Sequence, residues 1–225
     1  MAGRAETGED ATRASALTVL RRNPELVKAM AASGLQRSAV MVGTVLGAQN
    51  LRALVWGQKT AQYTAVLSMC LSVIAMCSAG AFGRFGDRVG RRVAAAVFGV
   101  TSFLPSWSLL VFGFNRFGLY ANCAGFLLSG IGLCSDAVLV LANDVTREED
   151  RGMAFGLYQA ATNGIAFVFF GLPSLFTILL KVAPNPPIEV WLWYNFGLTL
   201  AFFLLLRAVP PPAPAPGAAG AAEAG

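Results

Sequence analysis

The chain has 225 residues and a formal net charge of +5; 56% of its residues are hydrophobic, 13% are charged, and none is histidine. Soluble domains carry roughly 25% charged residues, so this composition excludes an ordinary soluble domain and a disordered chain. The lack of histidine excludes histidine-based catalysis and histidine metal sites.

A polar segment opens the chain. Residues 1–37 carry charges of both signs and lack the apolar core and cleavage site of a signal peptide, so we predict a cytoplasmic N-terminal leader. Within it, residues 16–32 form either a short amphipathic helix on the membrane surface or part of a loose polar leader.

Uncharged apolar segments follow, and a helix needs about 20 such residues to cross a bilayer. Five spans are predicted from these segments, at residues 60–83, 93–115, 117–135, 152–180 and 190–206. The last is short, and Trp191, Trp193 and Tyr194 form an aromatic belt at its start. A weaker first span, residues 38–58, requires Arg52 to face a cavity or to reach the membrane surface.

The predicted fold is therefore all-α: a six-helix transmembrane unit over residues 38–207. Residues 208–225 are a Pro/Ala/Gly tail, predicted to be disordered or to begin a truncated linker. With six spans and both termini in the cytoplasm, the distribution of basic residues follows the positive-inside rule. The cytoplasmic residues are Arg4, Arg13, Arg21, Arg22, Lys28, Arg37, Arg84, Arg88, Arg91, Arg92, Arg147, Arg151 and Arg207, and the outer ones are Arg52, Lys59, Arg116 and Lys181.

The segment between the second and third of the six predicted helices reads GRFGDRVGRR, residues 83–92. Gly83 and Gly86 allow backbones to approach closely, and Gly90 permits a tight turn. Asp87 stands among four arginines, where it accepts charge-assisted hydrogen bonds or caps a helix N-terminus. A plain positive-inside loop would need the arginines but not this spacing of glycine and aspartate.

A further charged segment, NDVTREEDRGMAFGLY, covers residues 143–158 after the fourth predicted span. Asp144, Glu148, Glu149 and Arg151 supply charges that can pair with the arginines of the first segment. Each such surface pair is worth roughly 0–1 kcal/mol. A network that forms in one state and breaks in another can still bias a rocking motion. A solvated charge cluster is the alternative interpretation.

Both segments resemble loops of the major facilitator superfamily of transporters. The first matches the signature G-x-x-x-D-R-x-G-R-R, and residues 143–158 are similar to the corresponding loop of the tetracycline-antiporter-like and hippocampus-abundant-transcript-like branch. The resemblance covers about residues 35–207, one six-helix half of a two-half fold. It implies that the first segment forms the cytoplasmic gate. The implied gate residues are Gly83, Gly86, Asp87, Arg88, Gly90, Arg91 and Arg92, joined by the second-loop charges Asp144, Glu148 and Arg151.

Two departures separate the chain from the usual pattern. Phe126 stands four residues before Gly130, where the family often carries an arginine. The Gly-Pro pair of proton-coupled antiporters is interrupted here by Leu172, between Gly171 and Pro173. The resemblance therefore does not extend to the elements of proton-driven antiport.

Polar residues inside predicted spans are the candidate pathway residues, because polar groups are costly in lipid. Asn122, Gly125, Ser129, Gly132 and Asp136 are spaced by three or four residues and share one helix face. Small residues there favour close helix contact, and the polar ones indicate a cavity. Asp136 is interpreted either as a substrate or proton site or as a packing acid paired with a loop arginine.

Gln159 and Asn163 share a face of the fifth predicted helix. They either line the pathway or hydrogen-bond to neighbouring helices, and we slightly favour the second interpretation. For Arg52, the outer boundary of the first span is favoured over anion binding. The candidate pathway residues are thus Asn122, Ser129, Asp136, Gln159 and Asn163.

No catalytic motif is present: the chain has no P-loop, no G-x-S-x-G and no dinucleotide-binding fingerprint. Cys70, Cys77, Cys123 and Cys134 lie in apolar segments without a CxxC pair, so we predict packing residues of a reduced protein. We expect no enzyme activity, no cofactor, no metal and no nucleic-acid partner.

The resemblance implies secondary active transport of an unidentified small solute by alternating access, in an integral multi-pass membrane protein. The expected partners are the lipid bilayer, the solute, and a second half-transporter, either another copy of the chain or a missing half. The competing hypothesis is a non-transporting membrane remnant, or a partner-binding half-transporter that associates with full transporters.

Overall fold

The computed structural model describes residues 15–43, 49–134, 137–179 and 188–210, and the regular elements in these ranges are all helices. The all-α prediction is confirmed for this part of the chain. The helices are α1 (Ala16–Arg22), α2 (Pro24–Met41), α3 (Gln49–Trp56), α4 (Thr60–Val89), α5 (Arg91–Phe112), α6 (Arg116–Cys134), α7 (Ala137–Asp144), α8 (Arg151–Leu179) and α9 (Ile188–Ala208). Short 3-10 turns, Gly57–Lys59 and Glu148–Asp150, precede α4 and α8.

Four segments in the described ranges are long and apolar enough to cross a membrane: Leu51–Ser78, Arg91–Phe112, Glu148–Leu172 and Val190–Ala208. They coincide with α3–α4, α5, α8 and α9, and they indicate a membrane protein. The remaining predicted span, residues 117–135, is not among these four segments; as far as residue 134 it coincides with α6, a helix of 19 residues. The weak first span, residues 38–58, is divided between the end of α2 and α3, with residues 44–48 outside the described ranges.

The expectation of a surface helix or loose leader over residues 16–32 is wrong for α2. This helix begins at Pro24, an imino acid suited to the first helical position, and it packs against α8 and α9. Leu26 and Ala29 are fully buried in the main core. Gly34 allows the close packing of α2 on α8, since a Cβ added at this position would lie 2.5 Å from Ile165 Cγ2. The predicted boundary at residue 37 therefore falls inside a packed helix.

The main hydrophobic core lies where α2, α5, α7, α8 and α9 meet. Phe103 of α5 and Phe202 of α9 are fully buried and pack edge to face, with ring centroids 5.6 Å apart. Gly99 admits the Phe202 ring against the α5 backbone. A smaller cluster lies where α3 meets the end of α5 and the starts of α6 and α9. It contains Leu51, Leu109, Leu119 and Leu192.

One helix contributes little to this core. α4 contacts α6 and, more weakly, α5, and it presents Val66, Met69, Val73 and Met76 at the surface. No residue is buried in the apolar stretch of 18 residues that makes Leu51–Ser78 long and apolar enough to cross a membrane. The outer face of α4 is therefore available to lipid or to another helical bundle.

Candidate gate and pathway

The first charged segment is a one-residue turn between two helices and not an extended loop. α4 continues through Gly83, Gly86 and Arg88 to Val89, and α5 begins at Arg91. The turn predicted at Gly90 is present. Its φ is +91°, a backbone conformation that glycine adopts more readily than other residues. Predicted gate residues therefore occupy the last turns of α4 and the first turn of α5.

The close backbone approach expected at the other glycines is not made in the described part of the chain. A Cβ added at Gly83 would meet nothing within 4 Å, and one at Gly86 would be in ordinary contact with Ala94, at 3.6 Å. Both glycines instead line a cavity of about 130 Å³ together with Asp87 and Arg91. Their lack of side chains leaves this volume open beside the turn.

Arg91 joins the two charged segments. Its Nη1 donates to Asp144 Oδ1 at 2.7 Å, and its Nη2 lies 3.8 Å from Asp87 Oδ1. The Asp144 side chain is 20% exposed, whereas that of Asp87 is 70% exposed. The structure thus forms the pairing expected between the segments, through a short, partly buried bond to Asp144. Asp87 keeps most of its carboxylate accessible.

The second charged segment is held by a residue that the sequence analysis missed. Asn23, 3% exposed, donates through Nδ2 to Asp150 Oδ2 at 2.8 Å and to the Val19 carbonyl at 2.9 Å. Its Oδ1 accepts a hydrogen bond of 3.0 Å from the backbone N–H of Arg147. Asn23 therefore ties the junction of α1 and α2 to the turn before α8. The Asn-Pro pair in the sequence signals a helix start, but nothing in it names Asp150 as a partner.

The other charges of the second segment are more exposed. Glu148 and Arg151 lie 3.8 Å apart, with the Glu148 side chain 92% exposed. Glu149 pairs with Arg22 at 3.7 Å, and both side chains are largely accessible. These long, solvated pairs contribute little to stability.

The end of α9 is held at the same end of the bundle. Lys28 Nζ donates to the Ala208 carbonyl at 3.3 Å, and Arg92 donates to the Arg207 carbonyl. Cations are favourable near a helix C-terminus, where carbonyl groups lack helical partners. We call this region the charged end; it comprises Asn23, Lys28, Asp87, Arg91, Arg92, Asp144, Arg147, Glu148, Glu149, Asp150 and Arg151.

The predicted pathway residues on α6 are buried in a helix seam. Asn122 is fully buried, and its Nδ2 donates to the Pro105 carbonyl of α5 at 2.6 Å. Ser129, 1% exposed, donates to the Phe126 carbonyl of its own helix. Gly125 brings the backbones together, since a Cβ there would lie 3.0 Å from the Pro105 nitrogen. Asn122 and Gly125 of this face therefore pack on α5 and do not face an open space.

Gln159 and Asn163 have a different environment. Arg37 of α2 donates to Asn163 Oδ1 at 2.8 Å and to Gln159 Oε1 at 3.5 Å. Asn163 is exposed, and a Cβ added at Gly156, on the same side of α8, would meet nothing within 4 Å. The structure thus brings two predicted pathway residues together with an arginine on an accessible face. Asp136, the remaining pathway candidate, lies outside the described residues.

Arg52 is enclosed, although it was expected to mark the outer boundary. Its side chain is 2% exposed, and its guanidinium carbon lies 4.9 Å from the centroid of the Phe126 ring, within the range of a cation–π contact. Its Nε and Nη2 have no hydrogen-bond partner. Burying a charge whose N–H groups are only partly satisfied costs free energy, so this is an unfavourable arrangement for arginine.

Comparison of the chain with protein-family models, with curated protein sequences and with solved structures finds no match in any of the three.

Proposed function

We propose that this chain is one six-helix half of a secondary active transporter of the major facilitator type, which moves a small solute by alternating access. Its six spans would be α2–α3, α4, α5, α6–α7, α8 and α9. The four long apolar segments support membrane insertion. The likeness of residues 83–92 to the superfamily signature supports the family and the position of the gate.

The contact of Arg37 with Asn163 and Gln159 is the observation that carries this proposal. In the apolar segment Glu148–Leu172, which has 25 residues, Gln159 is the twelfth and Asn163 the sixteenth. The Arg37 guanidinium would therefore lie near the middle of a spanning segment and not in the cytoplasm, where the positive-inside distribution put it. A charged residue at that depth costs about 2.5–3.5 kcal/mol on insertion scales unless it faces a polar interior.

The accessible face of α2 and α8 is consequently one wall of a polar cavity. The opposite wall must come from another helical bundle, supplied by a second copy of this chain or by a different half. Solute would bind between the two walls near the membrane midplane. Gln159 and Asn163 both accept and donate hydrogen bonds, which suits them to a polar solute.

The charged end is the proposed cytoplasmic gate. The Arg91–Asp144 pair holds the α4–α5 turn against the end of α7, so that this side of the half moves as one body. The exposed carboxylate of Asp87 remains available to a helix of the opposing half. Contacts that form in one state and break in the other would then set which side opens.

Reconstitution of the full chain in proteoliposomes tests the proposal. A panel of sugars, amino acids, carboxylates and amines is screened for protein-dependent uptake. Asn163→Leu removes the acceptor that Arg37 binds at 2.8 Å, so we expect it to reduce uptake at least tenfold. Ser72→Ala is the matched control, because Ser72 is a polar residue inside a span whose hydroxyl bonds to its own helix, at the Ser68 carbonyl.

Two outcomes would count against transport. Absence of uptake at every protein density would favour a non-transporting half that binds a partner. Full uptake by Asn163→Leu would remove the α2–α8 face from the pathway. Membrane insertion of each variant is measured by carbonate extraction, so that a loss of uptake is not confused with a loss of protein.

A further inference from the structure

Arg52 is a charged side chain enclosed in a part of the bundle remote from the charged end. It lies on the eight-residue helix α3, at the beginning of the apolar segment Leu51–Ser78. The guanidinium sits over Phe126, which is the eleventh of the 19 residues of α6. Arg52 thus directs a positive charge toward the middle of α6, although α3 itself lies near one end of the span.

The surroundings of this guanidinium do not balance its charge. Among the residues that the structure describes, no carboxylate lies within 4.0 Å of Arg52. The Phe126 ring and the adjoining Cys123 thiol are its nearest recognisable partners. Two of its nitrogens, Nε and Nη2, carry N–H groups that bond to nothing. Arginine stays protonated in proteins, so the positive charge of Arg52 persists although it is buried.

These unpaired N–H groups match the spacing of two oxygens of an oxyanion. Nε and one terminal nitrogen form one edge of the guanidinium fork, which binds two oxygens of a carboxylate or phosphate in parallel. The backbone at Arg52 is tied to the start of α4, because the Thr60 hydroxyl donates to the Arg52 carbonyl at 3.2 Å. The exposed cations Lys59 and Arg116 follow in the neighbouring turn and at the start of α6, and they would attract anions.

We infer that Arg52 is an oxyanion-binding residue, and that the transported solute carries a carboxylate or phosphate group. The second part rests on the proposed transport function; the first does not. The anion would approach when α3 moves relative to α4 and α6. Gly57 lies between α3 and α4 and has a φ of +55°, so it can act as the hinge of this movement. Binding would supply the countercharge that the described residues lack.

Ligand-dependent stability of the full chain tests the site. The protein is placed in nanodiscs of phosphatidylcholine, and its thermal unfolding is followed by tryptophan fluorescence with inorganic phosphate or succinate as probes. We expect either probe, far above its Kd, to raise the midpoint by roughly 5 °C. The shift should be absent in Arg52→Gln, reduced in Arg52→Lys, and unchanged in Arg84→Gln, which removes an exposed arginine near the end of α4.

The unliganded variants separate binding from a structural role. Arg52→Gln removes a buried charge that no described carboxylate compensates, so without ligand it should unfold at the same temperature as the wild type or higher. Marked destabilisation by Arg52→Gln, together with no ligand shift in the wild type, would show that Arg52 only packs on Phe126 and would overturn the inference. Equal ligand shifts in wild type and Arg52→Gln would overturn it as well.

A second arm identifies the source of the oxyanion. Stabilisation in nanodiscs containing phosphatidylglycerol, with no response to phosphate or succinate, would support the oxyanion site and overturn its assignment to a solute. Ligand shifts without uptake of any solute would reject transport and leave the site in place. Uptake that is identical in wild type and Arg52→Gln would reject the solute assignment and leave transport in place.

Discussion

The Arg91 guanidinium binds the Asp144 carboxylate at 2.7 Å, although 53 positions separate the two residues in the chain. Arg91 is the first residue of α5 and Asp144 the last of α7, so the bond joins the ends of two helices. Because Asp87 lies 3.8 Å from the same guanidinium, one arginine serves both charged segments. The proposed gate therefore rests on a partly buried pair and one accessible acid.

Removing either partner of this pair should weaken the fold modestly. Asp144→Asn and Arg91→Gln should each lower the free energy of unfolding by about 1 kcal/mol, the upper range for accessible pairs. The double variant should cost no more than either single one, because the two losses share one interaction. Denaturant titration in detergent measures this. Asp87→Asn is the control and should change stability by less than ~0.5 kcal/mol; additive losses at Arg91 and Asp144 would contradict the pairing.

Asn23 should matter more for stability than the charges around it. Asn23→Ala removes a hydrogen-bond donor from the buried Asp150 carboxylate and the side-chain acceptor of the Arg147 N–H, and hydrogen bonds to charged groups contribute about 1.5–3 kcal/mol. We expect a loss of about 2–3 kcal/mol in the unfolding free energy. Glu149→Gln, in an exposed pair, is the control. A loss no larger than that of the control would show that Asn23 does not hold the two segments together.

The contact of α2 with α8 depends on a residue without a side chain. Gly34→Ala would place a Cβ 2.5 Å from Ile165 Cγ2, and overpacking of this kind costs about 1–3 kcal/mol. Ile165→Ala should relieve the clash, so the double variant should lose less stability than the sum of the two single ones. Gly80→Ala on α4, where a Cβ meets nothing within 4 Å, should be neutral or slightly stabilising. Thermal unfolding of the wild type and of the four variants measures these differences.

The buried polar residues of α6 and the exposed polar residue Asn163 of α8 should respond to substitution in different ways. Asn122→Ala removes a fully buried donor from the Pro105 carbonyl, and we expect a loss of roughly 1–2 kcal/mol in stability. Asn163→Ala, at an exposed position, should cost about 0.5 kcal/mol while reducing uptake. Parallel measurements of unfolding and transport check both expectations. Loss of uptake by Asn122→Ala at unchanged stability would return Asn122 to the pathway.

Sidedness of the charged end can be measured directly. Arg84→Cys, at the end of α4, and Arg147→Cys, before α8, should react with a membrane-impermeant maleimide from the same side in a cysteine-free background. Arg116→Cys, at the start of α6, should react from the opposite side. All three positions are exposed in the structure, so each thiol is reachable. Labelling of positions 84 and 147 from different sides would invalidate the topology.

Some features of the candidate gate could be predicted from the sequence because their physics is local. Gly90 precedes two arginines and follows a helical run, and a left-handed turn there follows from glycine's freedom at positive φ. Opposite charges in two short segments also predicted an ion pair, although the sequence did not single out Arg91 and Asp144 as the residues that make it. The Asn23–Asp150 bond could not be foreseen, because residues 127 positions apart share no local signal.

The amino-acid sequence alone determined that this protein is helical and suited to a membrane, because long uncharged runs cannot be hydrated at low cost and helices satisfy their own backbone groups. Helical spacing also determined which polar residues share a face. Only the tertiary structure decided what each face meets: Asn122 is closed against α5, Asn163 is left open beside Arg37, and Arg52 is buried over Phe126. Periodicity specifies a direction around one helix axis, whereas burial depends on which other helix packs there.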